Sequence, residues 1–142
     1  MVVLKHILNK KHNNNHSLKL KHIHRNNELH YGDWGIISNE AGVLTPNQIE
    51  TVRCILSKNI KHIGKVWVKI LPDQLITRRP KDSRMGSGKG KPYIWVFVVR
   101  PGDIMFEATK ISKYVLIKMF KLIKSKLPIT VKLIYKNEVY NN

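Results

Sequence analysis

Apolar positions change their spacing several times along this chain, and each change marks an element. YGDWGIIS, residues 31–38, reads as a short strand opened by Gly32 and Gly35, and the folded domain is predicted to begin near it. Asn39 to Leu44 reads as a turn. Thr45-Pro46-Asn47-Gln48 then supplies an N-cap, a proline at the first helical position and a capping-box glutamine, so a helix is predicted from Pro46. Ile49, Val52, Leu56 and Ile60 follow at helical spacing and define its inner face, with Arg53, Lys58 and Lys61 on the other. Gly64 is expected to end it in the left-handed conformation.

KVWVKIL, residues 65–71, alternates Val66, Val68 and Ile70 against Lys65, Trp67 and Lys69, the period of a half-buried strand, and Pro72 stops it. Residues 73–91 show neither period and are expected to form a long basic loop, mobile in the free protein. YIWVFVV, residues 93–99, is apolar on both faces and fits a central strand. Arg100-Pro101-Gly102-Asp103 has the residues of a type II turn, and Ile104 to Glu107 is the expected hairpin partner. Ser112 to Lys126 is predicted to be a second helix with Val115, Met119 and Ile123 inside, ended by Leu127-Pro128, and ITVKLIY, residues 129–135, a last strand. The pattern predicts an α+β fold, two helices packed on a mostly antiparallel sheet, with a basic N-terminal arm and the long basic loop.

The arm occupies residues 1–28, the domain 29–136 and a short tail 137–142. Residues 1–27 contain no acid, six Lys or Arg and five of the seven histidines, a composition that cannot bury enough apolar surface to fold alone. Transit peptides are also basic and acid-poor, but this segment has a single Arg and a single Ser, so a retained arm is the expectation. Lys10, Lys11, Lys19, Lys21 and Arg25 are its candidate phosphate contacts.

Charge decides the class of partner. Twenty-six Lys and Arg against nine Asp and Glu leave a net charge of +17 on a chain that is nonetheless 42% hydrophobic. A folded body with that excess is held most simply by a polyanion, because each phosphate neutralised releases counterions and relieves self-repulsion. Nucleic acid is the leading partner and an anionic membrane surface the next. The longest apolar run, Tyr93 to Val99, is seven residues, far short of the roughly twenty that cross a bilayer, so no membrane span is predicted. Cys54 is the sole cysteine, which excludes an intramolecular disulfide framework and a thiolate zinc site, and it is expected to be an inert core or boundary thiol.

GSGKGKP, residues 86–92, invites a phosphate-binding enzyme and fails the test. A P-loop needs glycine five residues before its Gly-Lys pair and Ser or Thr after it; here those places hold Ser83 or Met85, and Gly90 or Pro92. A dinucleotide fingerprint fails at Lys91, where its third glycine belongs. What survives is a row of unshielded backbone amides with lysines between them, suited to an irregular phosphate chain. Lys91, Tyr93, Trp95 and Val96 fall where an RNA-stacking strand wants a base, two aromatics and a valine, but Pro92 and Ile94 occupy its small positions, so core packing is expected of them. Among the histidines only His12 and His16 have helical ligand spacing with a third ligand nearby, but no cysteine supports a metal site, and no cofactor is expected. The acids are scattered, and Asp103 and Glu107 are explained by turn formation and lysine pairing, so no enzyme is predicted.

GKVWVKILPD (64–73), ITRRP (76–80), SRMGSGKGKP (83–92), WVFVVRPGDIMFE (95–107) and KLPITVKLI (126–134), with YGDWG (31–35) and LTPNQIE (44–50), together resemble one family, the bacterial-type sixteenth protein of the large ribosomal subunit. The resemblance implies a structural protein, not an enzyme, packed on large-subunit rRNA near the peptidyl transferase centre and the aminoacyl-tRNA path, among neighbouring large-subunit proteins, and joining late in assembly. Position by position, Arg84, Lys89, Gly86, Gly88 and Gly90 match the family's rRNA-facing loop, and Arg78 with Arg79 its basic pair; Lys81 and Lys91 complete the loop's cations. Abundant Lys, Asn and Ile with only two alanines indicate an AT-rich gene, as in many organelles, and mitochondrial ribosomes are the expected location. The rival reading is a free RNA- or DNA-binding regulator.

Overall fold

The computed structural model describes residues 28–60, 64–86 and 88–136. Among these residues seven strands and two helices follow in the order β1 (Trp34–Ser38), β2 (Gly42–Leu44), α1 (Pro46–Ile60), β3 (Val66–Val68), β4 (Gln74–Arg78), β5 (Lys91–Val99), β6 (Ile104–Ala108), α2 (Lys113–Lys126) and β7 (Val131–Tyr135). The α+β class is as expected, but the strands divide into two sheets rather than one. A four-stranded sheet has the order β3-β6-β1-β7 and a three-stranded sheet the order β2-β5-β4, and their pairings are antiparallel.

The helices form for local reasons. The Thr45 N–H donates to Gln48 Oε1 at 2.9 Å and the Gln48 N–H donates to Thr45 Oγ1 at 3.4 Å, a reciprocal capping box that fixes the start of α1. Ile49, Val52, Leu56 and Ile60 are buried as their spacing requires, each contributing roughly 1.5–3 kcal/mol. In α2 the buried residues are Leu116, Met119 and Ile123, while Val115 is only partly buried, so the inner face is turned slightly from the expected one. Both helices pack into one core with Trp34, Ile36, Met105 and Phe106 of the larger sheet.

Four expectations are corrected. Residues 42–44, expected within a turn, form β2 and pair with Val99, Val98 and Phe97 of β5. The turn at Arg100–Asp103 forms, with the Asp103 N–H donating to Arg100 O at 3.1 Å and Gly102 at φ 92°, but it does not close a hairpin. It carries the chain from the smaller sheet into the larger, where β6 lies between β1 and β3 with four of its five residues buried. Gly64 is not in the left-handed region; a Cβ there would collide with the Thr109 carbonyl oxygen, so close approach of two chain segments demands the glycine. Cys54 is exposed, turned away from the core.

Glu107 has no exposed surface. The Tyr31 and Gly32 N–H groups donate to its Oε2 at 2.7 and 2.9 Å, and the Lys69 ammonium lies 2.8 Å from its Oε1, the lysine pairing that the sequence suggested. Asp103 serves its turn, its Oδ2 accepting the Arg100 N–H at 2.8 Å.

Candidate nucleic-acid interface

Six of the nineteen residues expected to form a loop are strand instead, and they build a β-ribbon. Residues 74–78 form β4, which pairs with β5 from Gln74 opposite Val96 to Arg78 opposite Lys91, so residues 79–90 alone make the connection. β5 outruns its other neighbour: β2 reaches only Phe97 to Val99, and the first six residues of β5 have β4 alone beside them. A two-stranded arm results, and it ends in the glycine-rich tip. Pro92, with no N–H to donate, is accommodated on this half-free stretch.

The arm gathers the cations that the sequence singled out. Arg78 closes β4, Lys91 opens β5, and Arg79, Lys81, Arg84 and Lys89 lie in the connection; all six are exposed, with Asp82 the one acid among residues 78–91. Pro80 to Ser83 is a turn, the Ser83 N–H donating to Pro80 O at 3.3 Å. The three glycines have different work. Gly86 and Gly88, at φ 99° and 75°, hold a backbone that side chains disfavour, with open space where a Cβ would stand. At Gly90 a Cβ would meet the Arg78 carbonyl carbon and oxygen at 2.6 Å, so this glycine lets the two strands of the arm close where they meet the tip. Exposed amides between lysines at such a tip can follow a phosphate chain of irregular shape.

Tyr93 departs from its expected place. Core packing is expected of it with the rest of its strand, yet its side chain is 61% exposed, and the Arg78 guanidinium carbon lies 5.2 Å from its ring centre. Trp95 is half-buried and Val96 buried, so core packing holds only from the middle of β5 onward. A second exposed aromatic, Tyr31, stacks on Trp67 at 5.9 Å between ring centres.

Lys10, Lys11, Lys19, Lys21 and Arg25, and the histidine pair His12 and His16, lie outside the described residues. Among the described residues no group of three or more His, Cys, Asp or Glu is placed to hold a metal ion, and no helix is long and apolar enough to cross a membrane. A cleft of about 160 Å³ between α1 and β3, lined by Arg53, Ser57, Ile60, Gly64, Val66 and Val68, is smaller than pockets that bury a cofactor.

The family model of Ribosomal protein L16p/L10e matches residues 6–134, which takes in both sheets, both helices, the basic arm formed by β4 and β5, and most of the N-terminal segment. Members are structural proteins of the large ribosomal subunit that bind rRNA and are not enzymes. With the match running over nearly its whole length, the chain belongs to the Ribosomal protein L16p/L10e family.

Proposed function

We propose that the chain serves in the large subunit of the mitochondrial ribosome, where the ribbon of β4 and β5 lies against large-subunit rRNA near the peptidyl transferase centre and the aminoacyl-tRNA path. The observation that carries this reading is the set of six exposed cations on a ribbon whose tip is opened by Gly86 and Gly88. In it Arg84, Lys89 and the tip amides hold rRNA phosphates, and Arg78, Arg79, Lys81 and Lys91 extend the contact along the ribbon towards the domain. The N-terminal arm, residues 1–28, adds Lys10, Lys11, Lys19, Lys21 and Arg25 to the same RNA, residues 29–136 form the folded domain, and 137–142 a tail. The protein joins the subunit late and supports placement of the incoming tRNA. Mitochondrial origin rests on the AT-rich residue usage.

Fractionation tests the reading. Purified mitochondria lysed and run through a high-salt sucrose gradient should return the protein with the large subunit; recovery in ribosome-free fractions, or in another compartment's ribosomes, would contradict it.

A further inference from the structure

We propose that Tyr93 and Arg78 form a stacking site for an unpaired RNA base, a proposal that rests on the ribbon facing RNA. The register of the ribbon changes at one point: Ile76 faces Ile94, but the next residue, Thr77, faces Pro92. Tyr93 is therefore an extra residue with no partner on β4, a β-bulge, and a bulge re-aims the side chain it inserts. Here the inserted side chain is the aromatic one. Without the bulge, strand alternation would put Tyr93 in register with Thr77, as one more residue of a ladder whose neighbours Ile94 and Ile76 are half-buried.

Arg78 approaches the ring with its guanidinium carbon 5.2 Å from the centroid, a cation–π contact, and the ring remains 61% exposed. One planar cation accordingly sits against the aromatic while most of the ring stays open to a second planar group. A nucleic-acid base fits that description, since every base has a π-face and stacks on tyrosine largely without regard to sequence. The surroundings favour a nucleotide over an apolar protein partner: Lys91 precedes Pro92 on the same strand, Arg79 follows Arg78, and both are exposed cations able to hold the phosphates on either side of a stacked base. Arg78 has a double part, orienting the ring and keeping its guanidinium edge for a phosphate or carbonyl oxygen.

Titration of the full-length protein with two polyanions of matched charge tests this, one a single-stranded oligoadenylate of about a dozen nucleotides, the other inorganic polyphosphate, which has no bases. Tyr93→Ala and Tyr93→Leu should weaken oligoadenylate binding roughly five- to hundredfold and leave polyphosphate binding unchanged, while Tyr93→Phe retains both. Since Tyr93 is exposed, none of these variants removes core packing. The stacking site is overturned if Tyr93→Ala binds oligoadenylate as the wild type does, or loses both ligands equally. The double variant Arg79→Ala, Lys91→Ala separates stacking from the RNA-facing ribbon: it should weaken both ligands and flatten the salt dependence. If it changes neither, the ribbon is not the RNA-facing surface and both readings fall; if it weakens both while Tyr93→Ala weakens none, stacking alone is wrong.

Discussion

Glu107 and Lys69 form an ion pair at 2.8 Å in which the carboxylate is wholly buried and the lysine side chain is 25% exposed. Burial by itself pushes the Glu107 carboxyl up; the Lys69 hydrogen bond, the N–H groups of Tyr31 and Gly32 and the charge on Lys69 outweigh it and hold the group below its ordinary value of 4.5. The pair thus ties β6 to the segment after β3 and to the chain entering β1. Glu107→Ala leaves the N–H groups of His30, Tyr31 and Gly32 and an ammonium without their acceptor and should cost about 3 kcal/mol, lowering Tm by about 10 °C in a thermal melt followed by circular dichroism. An unchanged melt would show that Lys69 and the amides re-pair with water.

The same group makes stability depend on pH. Its carboxyl titrates lower in the folded protein than in the unfolded chain, so its contribution is complete above the ordinary value of 4.5 and is lost as pH falls through the lower folded value. Urea unfolding at about pH 6 and about pH 3 should show the wild type losing stability on acidification and Glu107→Gln losing less of it. A residual acid loss in that variant is expected from Glu50, whose exposed carboxyl is drawn down to about 2 by its hydrogen bond from Arg53; because that pair is in solvent, added salt should shrink its share.

Gly90→Ala tests the geometry of the ribbon. The added methyl would press on the Arg78 carbonyl and the Arg79 nitrogen, at 2.6 and 2.8 Å, and part the strands where they close. Trypsin should then cut the free variant several-fold faster than the free wild type after Lys81, Arg84 and Lys89, while the melt of the domain stays nearly the same. Gly86→Ala meets no atom and suffers only the cost of a positive φ, about 1 kcal/mol, so its digestion should change less.

The helices were legible because their signals are local: Thr45 with Gln48 marks a start, and Ile49, Val52, Leu56 and Ile60 mark a face. The ribbon was not. Gln74, Ile76 and Arg78 alternate with Leu75 and Thr77 without an apolar stripe, because β4 covers no core and only half-buries its middle against β5. Tyr93 was hidden by the opposite effect, since a run apolar on both faces implies cover on both, whereas the first three residues of β5 are exposed. The split into two sheets depends on which strands β6 chooses, and the need for Gly64 depends on Thr109, far along the chain; neither is written near the residues concerned. Of the candidate site, residue types and positions were legible as cations and glycines, and the ribbon that orders them was not.

Removal of residues 1–27 separates affinity from folding. The segment has no acid and six Lys or Arg, so its loss should leave the melting transition of the domain nearly unchanged and reduce the slope of rRNA affinity against salt, by roughly 0.7–0.9 for each phosphate no longer neutralised. The check is rRNA binding at several salt concentrations beside a melt of the same preparation; an unchanged slope would mean the arm touches no phosphate.

Ultraviolet crosslinking of intact large subunits, followed by mass spectrometry of the protein's peptides, tests the central claim most directly. Nucleotides attached within residues 78–91, Tyr93 or both are the predicted result, with crosslinks from the ribbon absent in subunits carrying Arg84→Ala and Lys89→Ala. Subunits that contain the protein with its crosslinks confined to other surfaces, and the ribbon free of RNA, would contradict it.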